Sequence, residues 1–318
     1  MKIALLTMWL NEEFLAPHFL RHYDWVDELH IVIDSASVDA CEAIASADPR
    51  VRIGRVDFPD GFDNQRRANI FNDFTEACEA DWVIVVDSDE LVFHPSYGDP
   101  RRRLASETGD VVFARMWQTY AHRSEAPLRP DVVPLFQRRH GDPNRTQGKN
   151  RLYIKPCIFR PRKGIQLSVG NHYFRAPRGT CVARRQFYGV HWAYADLETA
   201  IKRQIQNGKL RLSRTDLDSG LARHLWSVDE QSIRSVARQF DEAPQVLRER
   251  WLMQLADWSN SLLNGYPWCG SRERTVSDPE RWNDGLQLDV FDLWADRRIY
   301  ASKARTALRA CCFGHRPD

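Results

Sequence analysis

The sequence has few of the features that mark secreted, membrane-spanning or zinc-binding proteins. Its seven cysteines include no C-x-x-C pair, so it shows no disulfide framework or zinc knuckle. No stretch approaches the roughly 18 apolar residues that a membrane span needs. The apolar N-terminal run is cut short at Asn11 and lacks a cleavage site, so we expect no signal peptide. These absences predict a cytoplasmic protein in a reducing compartment.

Strong charge of one sign is also missing. The net charge is +2 over 318 residues, which argues against a general polyanion-binding protein. Local arginine runs at 101–103, 138–139 and 184–185 could still meet phosphates of a donor, a lipid carrier or a nucleic acid. The basic segment Arg297 to Arg316 could touch an anionic membrane, which would make the protein peripheral at the inner membrane face. The oligomeric state is not predicted.

Apolar runs and helical patterns alternate over the first 90 residues. The predicted strands are Lys2–Met8, Leu29–Ile33, Val51–Val56 and Trp82–Val86. The predicted helices between them are Phe14–Trp25, Ala40–Ala47 and Asn64–Ala80. This order predicts an α/β fold with βαβ units and a parallel sheet. In such sheets ligands bind beyond the carboxyl ends of the strands.

The later sequence changes character twice. Further strands are predicted at Val111–Trp117, Leu152–Arg160, Ile165–Val169 and Phe187–Trp192, with a long polar connection at His122–Asn150. Helices are predicted at Leu197–Asn207, Ser232–Phe240 and Pro244–Leu263. We therefore predict a domain at 1–195, with a donor half at 1–95 and an acceptor half at 96–195. A helical C-terminal region follows at 196–318.

The strongest chemical signal is Asp87-Ser88-Asp89, directly after the most apolar strand. Magnesium and manganese prefer oxygen ligands, commonly one or two carboxylates together with phosphate oxygens. A cation held there would neutralise a departing nucleoside diphosphate and so ease the breaking of a sugar–phosphate bond. The alternative is a solvated loop in which Asp87 caps a helix.

Asp81 to Glu90 resembles the D-W-apolar-D-x-D-E signature of the glycosyltransferase family 2-like group. Asn11-Glu12-Glu13 and Asp34 to Asp39 are similar to that group's N-E-E and D-x-S-x-D motifs, and Gln65 also fits the pattern. Weaker matches lie at Lys155–Pro161, Gly170–His172 and His191–Trp192. The resemblance implies a GT-A fold, which is a Rossmann-like mixed sheet flanked by helices. It also implies Mn²⁺ or Mg²⁺ and a nucleotide-sugar donor, with a UDP-sugar favoured.

The resemblance also implies roles for individual residues. The nucleotide-sugar-binding set would be Asn11, Glu12, Asp34, Asp39, Gln65, Arg66, Arg67, Asp87 and Lys155. The metal would be held by Asp87 and Asp89, with Asp89 the more direct ligand and with a third contact from His172 or, as second choice, His191. Either histidine could instead be a buried, hydrogen-bonded ring. An arginine could pair with the diphosphate through its two-pronged guanidinium.

The family resemblance points to inversion at the anomeric carbon, which requires a base for the acceptor hydroxyl. Glu90 and Asp131 are the two candidates for this catalytic role. Glu90 follows the metal motif directly, and its alternative role is a structural partner of the turn. Asp131 lies in the long loop where an acceptor would enter.

Three functions are compatible with these motifs. The first is metal-dependent transfer of a sugar to a hydroxyl of a cell-surface or lipid-linked saccharide. The second keeps this chemistry but uses a hydroxylated base of DNA as acceptor, with arginines on phosphates and the base flipped out. The third is an inactive GT-A domain that serves as a scaffold or binding module. A nucleotidyltransferase is disfavoured because no glycine-rich phosphate loop follows the first strand.

Overall fold

The computed structural model describes most of the first two thirds of the chain. The described residues are 1–94, 100–132, 137–138, 141–142, 144–146, 149–152, 154–161, 163–171, 174–183, 187–209, 212–219, 230–231 and 233–235. The predicted helix Pro244–Leu263 and the basic segment Arg297 to Arg316 lie outside them. Of the predicted helix Ser232–Phe240, residues 233–235 are described, and they are helical.

The first half of the fold alternates strands and helices, as predicted. Its elements are β1 (Ile3–Trp9), α1 (Ala16–His22), β2 (Glu28–Asp34), α2 (Cys41–Ser46), β3 (Val51–Val56), α3 (Asn64–Ala77) and β4 (Trp82–Val85). Helix α3 begins where Asp63 accepts the backbone N–H of Arg66, a side-chain N-cap. It stops short of the predicted Ala80 because Cys78 has extended backbone angles.

The second half adds short strands and further helices. Its elements are β5 (Glu90–Phe93), α4 (Pro100–Ala105), β6 (Val111–Tyr120), β7 (Gly141–Asp142), β8 (Asn144–Thr146), β9 (Lys149–Leu152), β10 (Ile154–Phe159), β11 (Gln166–Leu167), β12 (Phe174–Arg175), β13 (Phe187–Tyr194), α5 (Leu197–Lys209) and α6 (Arg214–Ser219). The long polar connection predicted at His122–Asn150 contains short strands, since β7 pairs with β6 and β8 pairs with β9. These polar strands are held by backbone hydrogen bonds, so no apolar alternation reveals them.

The sheet is mixed, and its strand directions determine where polar loops meet. The order is β3-β2-β1-β4-β10-β6-β13-β5, with β7 also paired to β6. Strands β1, β2, β3 and β4 run parallel, β10 runs antiparallel to β4 and β6, and β13 runs parallel to β6. The carboxyl ends of β1, β4, β6 and β13 therefore lie at one edge of the sheet. This topology confirms the predicted α/β fold with a mixed sheet.

Helices cover both faces of the sheet. On one face, Leu5 and Trp9 pack in the same core as Phe19 of α1. On the other face, Leu6 packs with Phe71 of α3. Helix α5 lies against β13, so the described start of the predicted region 196–318 contacts the sheet. None of the helices within the described ranges is long and apolar enough to cross a membrane.

A buried polar contact joins α1 to β5. The Nε2 of His22 donates to the carbonyl of Val92 at 2.9 Å. The hydroxyl of Tyr23 donates to the carbonyl of Glu90 at 2.8 Å and accepts the N–H of Val92 at 3.0 Å. Burial lowers the pKa of His22 to about 4, although its bond to Val92 favours the protonated ring. The His22 ring is therefore neutral in the folded protein near neutral pH.

This low pKa predicts a loss of stability in mild acid. Between about pH 6.5 and 4 the unfolded chain protonates His22 and the folded chain does not, so stability falls as the pH is lowered. The free energy of unfolding should fall by about 1.4 kcal/mol per pH unit from this group, or about 3 kcal/mol in all. Urea titrations at several pH values should show this slope in the wild type. The variant His22→Gln, which retains an N–H donor, should lack this part of the slope, and an identical slope would contradict the assignment.

Candidate active site

Acidic side chains converge at the carboxyl edge of the sheet. Asp87 and Asp89 follow β4, Glu12 follows β1, and Glu90 begins β5. Their carboxylates are brought together by strand direction, since β1 and β4 are parallel neighbours. Each carboxylate is matched by a cationic side chain from a later part of the chain or from α3. The acids and their cationic partners form two adjoining groups, one around Asp87 and one around Asp89.

The first group is a buried ion pair between Lys155 of β10 and Glu90. The Nζ of Lys155 lies 2.7 Å and 2.6 Å from the two oxygens of Glu90 and 3.1 Å from Oδ2 of Asp87. Lys155 and Glu90 are both 0% exposed. Burial alone would lower the pKa of Lys155, but the charges of Asp87 and Glu90 outweigh it and raise that pKa. Lys155 therefore stays protonated in the interior.

Asp87 is held from three sides. Its N–H donates to Oε2 of Glu90 at 2.9 Å, and its Oδ1 pairs with the guanidinium of Arg67 from α3. Burial would raise the pKa of Asp87, but Arg67 and Lys155 hold it well below the usual range. Glu90 thus fixes the turn after β4, in keeping with the structural role considered for it above. Its carboxylate faces Lys155 and the backbone in the interior.

The second group centres on Asp89. Its Oδ1 lies 3.3 Å from Nε2 of His191 on β13, and its Oδ2 accepts from Arg203 of α5 at 3.0 Å. The Nδ1 of His191 lies 2.6 Å from Oε1 of Gln118 on β6. Because an amide oxygen only accepts, Nδ1 carries a proton and the lone pair of the neutral ring is on Nε2. Gln118 therefore directs Nε2 of His191 towards Asp89.

Charge interactions at Asp89 and His191 oppose the cost of burial. Burial would raise the pKa of Asp89, but His191 and Arg203 hold it well below its usual range. Burial would lower the pKa of His191, but Asp89 raises it. Without another cation between them, the two side chains form a charged pair. The charge of Asp89 is therefore balanced by the two cationic side chains in contact with it.

Asp89 and His191 fit the ligand geometry of a divalent cation. Cis ligands about 2.1 Å from an octahedral metal are about 3 Å apart, close to the observed 3.3 Å. No group of three or more histidine, cysteine or acidic residues within the described ranges could hold a metal by itself. Magnesium and manganese commonly use one or two protein ligands together with waters and phosphate oxygens. His172, the first-choice third ligand, lies outside the described residues.

Arg203 was not predicted from the sequence. It joins Glu12 and Asp89 by ion pairs of 2.8 Å and 3.0 Å. Burial would lower the pKa of Arg203, but the two acids raise it. The sequence feature that could have indicated it is its position three residues after the buried Ala200, on the same face of an amphipathic helix. An arginine on a buried face needs an acidic partner. Its actual partners lie far away in sequence and could not be identified from spacing.

Two predicted donor-binding residues hold the loops after β1 and β2 together. Asn11 accepts the N–H of Val38 at 2.7 Å and donates its own N–H to the hydroxyl of Ser37 at 3.2 Å. Asp39 accepts the N–H groups of Glu13 and Cys41. Asn11 has a φ of 54°, a left-handed conformation that asparagine tolerates better than most residues. These bonds fix the shape of the edge near Asp34.

The remaining predicted site residues lie in different surroundings. Asp34 is buried at the end of β2 and accepts the N–H of Ala36 at 2.9 Å, and burial raises its pKa. Arg66 lies 5.4 Å from the ring centre of Phe58, and Gln65 donates to Asn69. The structure does not bring Asp131 into the acidic groups: it pairs with Arg129, and its side chain is 63% exposed.

Comparisons with known proteins give structural similarities only. No protein-family model matches the chain, and no curated protein matches it. TarS 1–349 from S. aureus is 11% identical, over 95% of this chain and 83% of that one, with a TM-score of 0.34. Its complex with UDP-GlcNAc is 12% identical over the same shares, with a TM-score of 0.35. Glucosyl-3-phosphoglycerate synthase from Mycobacterium tuberculosis, with Mn²⁺, UDP and phosphoglyceric acid, is 21% identical over 39% of this chain and 44% of that one, with a TM-score of 0.27.

Proposed function

We propose that this protein is a metal-dependent glycosyltransferase that takes a sugar from a nucleotide donor. The observation that carries the proposal is the pair Asp89 and His191, whose ligand atoms lie 3.3 Å apart at the carboxyl edge of the sheet. This is the edge at which open α/β sheets bind ligands. Asp89 also ends the D-x-D motif that resembles family 2-like glycosyltransferases. Mn²⁺ or Mg²⁺ held by Asp89 and His191 would still have coordination positions for diphosphate oxygens.

The neighbouring residues suit the other parts of a nucleotide-sugar. Asp34 offers a carboxylate at the end of β2 that can accept an N–H of the nucleotide base. A UDP-sugar is the favoured donor. Phe58 lies under Arg66 near the start of α3 and can stack on that base. Arg67 is held beside the metal motif by Asp87 and can turn one N–H to the diphosphate. Lys155 and Glu90 keep Asp87 in place.

The proposed reaction exchanges one bond at the anomeric carbon. The acceptor oxygen forms a bond to this carbon while the bond to the diphosphate oxygen breaks, with inversion, and the acceptor proton passes to a carboxylate base. The metal, when bound, supplies Lewis-acid stabilisation of the leaving diphosphate. The carboxylate of Glu90 is engaged by Lys155, so the proposed base is Asp131, which lies outside the two acidic groups on the exposed loop where an acceptor would enter. The proposed acceptor is a hydroxyl of a cell-surface or lipid-linked saccharide.

A screen of donors and metals tests this function. Thermal shift and donor hydrolysis would be measured with UDP-, GDP-, dTDP- and CMP-sugars, each with Mn²⁺, Mg²⁺ or EDTA. We expect one nucleotide class, with a UDP-sugar first, to raise Tm and to be hydrolysed only with metal. Saccharide acceptors and hydroxymethylated DNA would then be compared with the active donor. The absence of stabilisation and turnover with every donor would overturn the catalytic proposal and favour a scaffold.

A further inference from the structure

The guanidinium of Arg203 links the metal motif to a helix outside the predicted catalytic domain. Arg203 donates to Oε1 of Glu12 at 2.8 Å and to Oδ2 of Asp89 at 3.0 Å, and it lies 3.4 Å from the hydroxyl of Ser88. Helix α5, which carries Arg203, belongs to region 196–318, outside the predicted catalytic domain. Neither the family resemblance nor the D-x-D motif assigns a role to it.

We propose that Arg203 is a positioning residue that assigns the two oxygens of Asp89 to different partners. Oδ2 is held by Arg203, and Oδ1 is left facing Nε2 of His191. When one oxygen of an aspartate is held by a hydrogen bond, the other oxygen points in a fixed direction. Residues that contact metal ligands commonly orient them in this way. This inference rests on the proposed function, since it concerns the metal that Asp89 and His191 would share.

Glu12 serves as the anchor for Arg203. Its Oε1 accepts from Arg203 and, at 2.7 Å, from the hydroxyl of Ser88, while its Oε2 is buried without a hydrogen-bond partner in the described residues. The guanidinium therefore separates two buried carboxylates, Glu12 and Asp89. If Arg203 were neutral, these like charges would face each other, and Glu12 could compete for the cation. Arg203 thereby keeps Glu12 away from the metal that Asp89 and His191 would share.

Contacts made by Ser213 and Asp216 anchor the chain that follows α5, and they do not involve Arg203. After α5, the N–H of Ser213 donates to the carbonyl of Phe62, and Asp216 accepts the N–H and side-chain amide of Asn64 at 3.0 Å and 2.8 Å. Asp216 thus caps the start of α3, the helix that carries Arg67. Because this anchor is independent, substitution of Arg203 should leave the segment docked.

Binding of Mn²⁺ to the full-length protein tests the proposal. Free Mn²⁺ would be followed by electron paramagnetic resonance, with and without UDP, for wild type, Arg203→Gln, Arg203→Lys and Lys202→Ala. We expect Arg203→Gln to weaken Mn²⁺ binding about 10- to 100-fold, the range for loss of an outer-shell partner. Arg203→Lys should restore part of the affinity, because an ammonium keeps the charge but lacks the fork. Lys202→Ala, one residue away and exposed, should equal wild type.

Each other result has a defined meaning. Wild-type affinity in Arg203→Gln would overturn the positioning role and leave the proposed function standing. Failure of the wild type to bind Mn²⁺ with or without UDP would overturn both. If Arg203→Gln does not fold, the double variant Glu12→Gln, Arg203→Gln removes one charge of each sign and restores the balance. Its Mn²⁺ binding should remain weak because Asp89 still lacks its partner, and normal binding would refute the proposal.

Discussion

Asp89→Asn is expected to abolish metal-dependent turnover while the protein remains folded. The amide has the size of the carboxylate but no negative charge. Of the two proposed ligands Asp89 and His191, the cation would therefore lose the anionic one. Loss of a direct ligand should exceed the 10- to 100-fold effect of outer-shell residues, so we expect a fall in kcat/KM of more than about 100-fold. Mn²⁺ binding should fall in parallel, since it measures the same ligand without catalysis.

A matched substitution separates this effect from a general loss of charge. Asp24→Asn makes the same chemical change at an exposed residue just before β2, at the opposite end of that strand from Asp34. It should keep wild-type turnover and Mn²⁺ affinity. Circular dichroism of both variants should match wild type. Retention of metal-dependent turnover in Asp89→Asn would place the metal, or the active site itself, elsewhere.

Lys155→Met is expected to produce the largest loss of stability. Methionine replaces the length of the side chain but leaves Glu90 charged and 0% exposed, without its ammonium partner. Breaking a buried ion pair by removing one partner costs about 3–5 kcal/mol. Urea unfolding at pH 7 should report this difference in the free energy of unfolding. The turn that carries Asp87 should also lose order, because Glu90 accepts its N–H.

The companion variant removes both charges. In Lys155→Met, Glu90→Gln neither member of the pair leaves a charge behind, Asp87 keeps Arg67 as its cationic partner, and the amide oxygen can still accept the N–H of Asp87. Most of the lost stability should return, since buried ion pairs contribute little beyond their own desolvation cost. A double variant as unstable as Lys155→Met would show that the cost does not come from leaving Glu90 charged and unpaired.

The strand that precedes the metal motif could be predicted because its four residues are all buried, and buried strands appear as continuous apolar runs. Sequence resemblance also named Asp87, Asp89 and Lys155, whose roles in binding remain predictions, and the structure places all three at the carboxyl edge of the sheet. It could not distinguish the two roles of Glu90, which depend on the pairing of Lys155 across 65 positions. It named Asn11 and Asp39 as donor contacts, whereas their visible bonds join neighbouring loops. Cap and turn residues can be recognised by type, but the partner of each depends on loop geometry.

The position of His191 in the fold also could not be predicted from the sequence. The sequence named it after His172, and its spacing from Asp89 carries no directional information. Its place beside Gln118 and Asp89 follows from the parallel pairing of β13 with β6, whereas His172 lies outside the described residues. Polar pairs across a sheet depend on strand order, and strand order depends on contacts distant in sequence. Roles assigned to other donor residues remain predictions.

The contact between Glu12 and Arg203 spans 191 positions, and the cap from Asp216 to Asn64 spans 152. We expect contacts this distant to form late, because closing a long loop costs chain entropy before any bond compensates for it. On a ribosome, β1 to β4 would emerge and could pair before Arg203 exists as part of the chain. During that interval Glu12 and Asp89 would repel each other, so the edge of the sheet should stay open until α5 arrives. Assembly of the acidic edge would then be one of the last steps in folding.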